Sequence, residues 1–170
     1  SAETEEQVLH TAREITKIQG VGIFRAGVWK PRTRPGSFEG VGIKGLEWLR
    51  KVKDETGLLT AVEVAKKDHV EAIKLMPGCV DVLWIGARTS ANPFSIQELA
   101  EALQGFDIPV MIKNPVNPDI NLWVGALERI NAAGIKKMAA IHRGFSTFER
   151  SKYKNIPMWE FPIELKLMFP

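Results

Sequence analysis

Short apolar runs alternate with stretches of helical spacing along almost the whole chain, and this alternation confines the fold to the α/β class. The runs ending near Phe24, Val64, Ile85, Ile112 and Ile141 predict five strands: Val21–Phe24, Leu58–Val64, Val80–Ile85, Ile108–Ile112 and Lys137–Ile141. Helices are predicted over Ser1–Gly20, Gly45–Thr56, Lys67–Leu75, Ser95–Leu103, Asp119–Ala133 and Trp159–Met168. The first has a capping pair, Thr4 with Gln7, and three acids beside the positive end of the helix dipole. The strand segments are near-continuous in apolar residues and lack a two-residue period, as expected for a parallel sheet covered on both faces.

Each strand ends on or near a charged residue: Arg25, Glu63, Arg88, Lys113 and Arg143. Successive βα units therefore deliver one charge each to the same end of the sheet, and four of the five are cations. In (β/α) barrels that end carries the active site. A doubly wound sheet has similar spacing, but it usually carries a glycine-rich phosphate turn, and no GxGxxG occurs here. The expected architecture is thus an α/β (β/α)8 TIM barrel. A complete barrel needs eight strands and typically ~250 residues, whereas this chain has 170 and five strands are predicted. The expectation is an incomplete barrel occupying residues 1–170, lacking its first and last strands and with no second domain.

Composition narrows the class further. A net charge of +3 is too small for a nucleic-acid coat or a membrane-surface protein. A single cysteine cannot form an internal disulfide, no apolar run approaches the ~20 residues that span a bilayer, and the first residues are acidic. A soluble, cytoplasmic protein is expected.

The candidate chemistry is anion binding. The segment from Arg25 to Ser37 holds four cations beyond the strand end or at it (Arg25, Lys30, Arg32, Arg34), hydroxyls from Thr33 and Ser37, and stiffening prolines. Arginine grips phosphate bidentately and lysine adds a point charge, although a solvated basic loop has the same composition. Gly86 and Ala87 place small residues ahead of Arg88, and Lys113 and Arg143 follow on the next two strands. Together with Arg25 these would hold a ligand bearing a carboxylate and a phosphate. Lys113 also admits a Schiff-base role if desolvated. Glu63 would pair with the cations, orienting Lys113 or Arg88, or transfer protons. His10 and His69 read as surface residues, His142 faces either way, and Cys79 reads as a packed thiol. No metal-ligand spacing is present. The five tryptophans are scattered, which suits packing and not base stacking.

Four strings carry a resemblance: FRAGVWKPRTRPGSFEG (Phe24–Gly40), WIGARTSANPFS (Trp84–Ser95), PVMIKNPVNPD (Pro109–Asp119) and IHRGFS (Ile141–Ser146). They resemble the DAHP synthases, more narrowly the type I beta branch often fused to chorismate mutase. That resemblance implies condensation of phosphoenolpyruvate with erythrose 4-phosphate to DAHP and phosphate, the entry step of the shikimate pathway to the aromatic amino acids. It implies that Lys30, Pro31, Arg32 and Thr33 hold erythrose 4-phosphate, and that Arg25, Gly86, Ala87, Arg88, Lys113 and Arg143 surround phosphoenolpyruvate. Lys113 and Glu63 are the candidate catalytic groups. A divalent metal (Mn, Fe, Co or Zn) and a homo-oligomer are implied as well. The family's metal ligands would fall outside this chain, and Cys79 is not at their position.

Two other readings remain open from the residues: a Schiff-base sugar-phosphate aldolase using Lys113, and a non-catalytic phosphate-binding fragment. On the leading reading these 170 residues alone are expected to be inactive.

Overall fold

The computed structural model describes residues 2–30, 32, 34, 36–148 and 151–169. The chain divides into two compact units, Ser1–Trp84 and Ile85–Pro170. The first contains α1 (Glu5–Thr16), β1 (Ile23–Arg25), α2 (Lys44–Thr56), β2 (Leu59–Val64), α3 (Lys67–Lys74) and most of β3 (Val82–Ile85). The second contains α4 (Ala87–Ser90), α5 (Pro93–Leu103), β4 (Val110–Lys113), α6 (Ile120–Ala132), β5 (Met138–Ile141) and α7 (Glu160–Met168). The strands follow chain order in the sheet, β1-β2-β3-β4-β5. Among the strand pairs, β1 lies parallel to β2 with Arg25 opposite Ala61, and β4 lies parallel to β5 with Lys113 opposite Ile141.

Helix ends follow local chemistry. The Thr4 hydroxyl accepts from the Gln7 N–H, while the Gln7 side chain accepts from the Glu3 N–H at 3.1 Å. The helix therefore begins at Glu5, and it stops at Thr16, short of the predicted Gly20. Asn92 caps α5 through the N–H groups of Phe94 and Ser95, with Pro93 at the first helical position, so the helix starts two residues earlier than predicted. Asp119 caps α6 in the same way, so that helix starts at Ile120, one residue later than predicted.

In the first unit α2 buries Leu46, Trp48, Leu49 and Val52. At roughly 1.5–3 kcal/mol for each large apolar side chain removed from water, this face outweighs the exposed Arg13–Glu55 and Lys51–Glu5 pairs between α1 and α2. In the second unit Trp123 is 1% exposed and donates its indole N–H to the Ile112 carbonyl at 3.2 Å, tying α6 to β4.

The expectation of strands covered on both faces is met where the strand is central and not at the edges. All four residues of β3 are buried, and so are four of six in β2. In β1 only Phe24 is buried, and in β5 none is. An edge strand has a neighbour on one side only, so the same apolar composition is left partly in water.

Candidate functional site

In the first unit β1 ends on Arg25, whose guanidinium lies 3.7 Å over the ring of Trp84. Loss of water around it lowers its pKa, and the Glu63 carboxylate works against that shift. Glu63 is the penultimate residue of β2 and half-buried. Its charge bears on Arg25.

Beyond Arg25 the chain is pinned. Lys30 donates its N–H to the Glu39 carbonyl at 2.8 Å, and Gly42 donates to Val28 at 2.9 Å. Gly27 leaves room for the Lys30 side chain: a Cβ there would sit 2.9 Å from Cε and 3.0 Å from Nζ. Arg32 is exposed and donates Nε–H to the Phe38 carbonyl at 2.9 Å. Hydrogen bonds thus tie Lys30 and Arg32 of the basic segment to Glu39 and Phe38. Pro31 and Thr33, the other two expected phosphate contacts, lie outside the described residues.

Trp29, next to Lys30, stacks on His69 with centroids 4.3 Å apart and planes 7° from parallel. His69 was expected on the surface; it is 9% exposed and accepts the Ala65 N–H on Nδ1 at 3.2 Å. Burial, chiefly, lowers its pKa from 6.5 to about 4, Lys66 adds to this and Asp68 opposes it. The ring is therefore neutral in the fold at pH 7, and Nδ1 keeps its lone pair. Unfolded chains take up a proton below about pH 6.5 while folded ones do not until about pH 4, so stability falls across that window as pH falls. Wild type is expected to lose about 3 kcal/mol relative to His69→Phe between pH 7 and pH 4, read from urea unfolding at each pH. A constant difference between the two proteins would refute it.

In the second unit Gly86 is buried and precedes α4, a short helix not expected from the sequence. Arg88 lies inside that helix and is exposed, so it is three residues beyond β3 and not at its end. Lys113 is the last residue of β4 and half-buried. Arg143 follows β5 by two residues; its pKa is lowered by burial and then by the positive charge of Arg88. Its guanidinium donates to the Gly144 carbonyl at 3.3 Å and to the Asn155 side-chain oxygen. Arg143 thus has neutral acceptors on its guanidinium and a second cation, Arg88, near enough to lower its pKa.

His142 is packed among Trp123, Phe145 and Trp159 and not with the cations. Neither ring nitrogen has a hydrogen-bond partner among the described residues. Cys79 is buried, as expected, and accepts Nε–H of Arg50 at 3.3 Å. The described residues contain no group of three His, Cys, Asp or Glu that could hold a cation. They do not fit the implied divalent metal. Among the described residues no helix is long and apolar enough to cross a membrane.

The family model of the DAHP synthetase I family matches residues 1–169. The chain belongs to the DAHP synthetase I family. It is 31% identical over 163 residues to phospho-2-dehydro-3-deoxyheptonate aldolase of Thermotoga maritima, covering 96% of this chain and 46% of that one. The solved DAHP synthase of Thermotoga maritima is similar with a TM-score of 0.79 and 29% identity, over 98% of this chain and 45% of that one. A truncated form of 3-deoxy-D-arabino-heptulosonate 7-phosphate synthase from Thermotoga maritima gives 0.75 and 28%, over 98% and 57%. The chain therefore spans about half the length of the DAHP synthases it matches.

The sequence singled out the cations of this DAHP synthase segment but missed the groups that hold them. Trp84, His69, Asn114 and Asn155 are apolar-run, helix and loop residues whose relevance lies in contacts across 59, 40, 29 and 12 positions of sequence. Only Asn114, directly after Lys113, had a neighbour that could have drawn notice.

Proposed function

We propose that this chain carries the substrate-binding residues of a DAHP synthase, and that the whole enzyme joins phosphoenolpyruvate and erythrose 4-phosphate to give DAHP and phosphate. The observation that supports it best is Arg143, a half-buried guanidinium bonded to neutral oxygens and facing the charge of Arg88. Such a pair in a biosynthetic enzyme of this family suits the carboxylate and phosphate of phosphoenolpyruvate. Arg25, Gly86, Ala87 and Lys113 are assigned to the same substrate, and Lys30, Pro31, Arg32 and Thr33 to erythrose 4-phosphate.

The reaction is aldol-like: the methylene carbon of an enol phosphate attacks an aldehyde, water supplies the new oxygen, and phosphate leaves. What these residues contribute is charge. Cations placed before the reaction neutralise phosphate and carboxylate oxygens without reorganising, which favours the transition state. Lys113 is assigned to the reacting substrate as a donor, and Glu63 to orienting Arg25 and to proton transfer. The cytoplasm is the compartment proposed for the enzyme.

The test is kinetic, in the full-length protein. Arg32→Ala should raise KM for erythrose 4-phosphate, and Arg88→Ala should raise KM for phosphoenolpyruvate, each roughly 10- to 150-fold for one charge-assisted hydrogen bond of about 1.5–3 kcal/mol. Unchanged constants for both substrates in both variants would sink the assignment, as would failure of the wild type to release phosphate from the two substrates together.

A further inference from the structure

Among the described residues the hydrogen-bond acceptors of Arg143 carry no charge. Its Nη1 donates to the Gly144 carbonyl and its Nη2 to the carboxamide oxygen of Asn155. The backbone of Arg143 is held independently: its N–H donates to Oδ1 of Asn114 at 2.7 Å, and Nδ2 of Asn114 donates to the Gly144 carbonyl at 2.9 Å. Asn155 is itself fixed. The next residue, Ile156, exchanges two 2.8 Å backbone hydrogen bonds with Phe145. Gly144 allows this approach, because a Cβ there would lie 2.7 Å from the Ile156 carbonyl oxygen and 3.2 Å from Cβ of Asn155.

We infer that Asn155 is a positioning residue for Arg143, holding one edge of the guanidinium with a neutral acceptor so that its positive charge stays available to an anionic substrate. A carboxylate in the same place would bind the fork more tightly and would also cancel the charge the site needs. Burial first, and then the like-charged Arg88, lower the pKa of Arg143. The inference rests on the assignment of Arg143 to phosphoenolpyruvate and adds the residue that sets its charge and aim.

Asn155→Asp separates this role from simple support, because it keeps the acceptor and changes only the charge. In the full-length protein Asn155→Asp should raise KM for phosphoenolpyruvate about 10-fold or more, the worth of one charged contact. KM for erythrose 4-phosphate and the melting temperature should stay close to those of wild type. Asn155→Ala, which removes the aim but not the charge, should raise the same KM by a smaller factor. Should the aspartate variant not fold, the alanine variant still decides, because unchanged phosphoenolpyruvate kinetics in it overturn the inference. A KM for phosphoenolpyruvate within twofold of wild type in Asn155→Asp, or an equal rise for both substrates, also overturns it. A wild-type protein that does not bind phosphoenolpyruvate at all overturns the underlying assignment, a result visible before any variant is made.

Discussion

Asn114→Leu is expected to destabilise the protein by about 3–5 kcal/mol, although the two side chains are close in size. Asn114 is fully buried, and its carboxamide satisfies three backbone groups: the Pro115 and Gly144 carbonyls at 2.8 and 2.9 Å, and the Arg143 N–H at 2.7 Å. Its own N–H donates to the Ile141 carbonyl at 3.0 Å, continuing the β4–β5 ladder past the ends of both strands. Leucine fills the space but leaves the Pro115 carbonyl and the Arg143 N–H without this partner, and the Gly144 carbonyl with the Arg143 guanidinium alone, at roughly 1–3 kcal/mol for each orphaned group before relaxation. Urea unfolding of the full-length protein measures the loss. A change below 1 kcal/mol would mean that the turn carrying Arg143 finds other partners. Phosphoenolpyruvate binding should weaken in parallel, since the same carboxamide sets the position of Arg143.

The second large effect is expected at Gly40, where alanine should cost about 3 kcal/mol or more. Gly40 has φ +103°, and a Cβ there would lie 2.1 Å from the Val28 carbonyl oxygen, an overlap that only backbone movement can relieve. That carbonyl accepts the Gly42 N–H, and the next rung is Lys30 to Glu39, so relieving the overlap pulls apart the brace beneath Lys30. KM for erythrose 4-phosphate should rise with the loss of stability. Gly57→Ala is the control: φ is +69°, nothing lies within 4 Å of its Cβ, and only about 1 kcal/mol of backbone strain is expected. Equal effects at the two glycines, in thermal melts of the same preparation, would show that the contact with Val28 is not what Gly40 protects.

By itself the sequence determined the class of fold. Apolar runs of strand length separated by helical spacings admit little besides a parallel α/β sheet, and the structure has five strands in chain order. Local chemistry such as the Thr4–Gln7 pair and the helical spacings placed most helices to within a few residues. Element boundaries were legible because capping acts over three or four residues.

The tertiary structure decided what depends on neighbours distant in sequence. Whether an apolar strand is covered is a property of its place in the sheet, so β3 is buried throughout and β5 is not, with similar composition. His69 looks like a surface residue on an amphipathic helix, and only the arrival of Trp29 from 40 positions earlier makes it a buried, neutral ring. Arg143 was visible as a charge, but its availability depends on whether its acceptors are carboxylates or amides. Those acceptors are supplied by a turn and a loop that the backbone brings together, and pairwise contact of that kind leaves no periodic trace in a sequence.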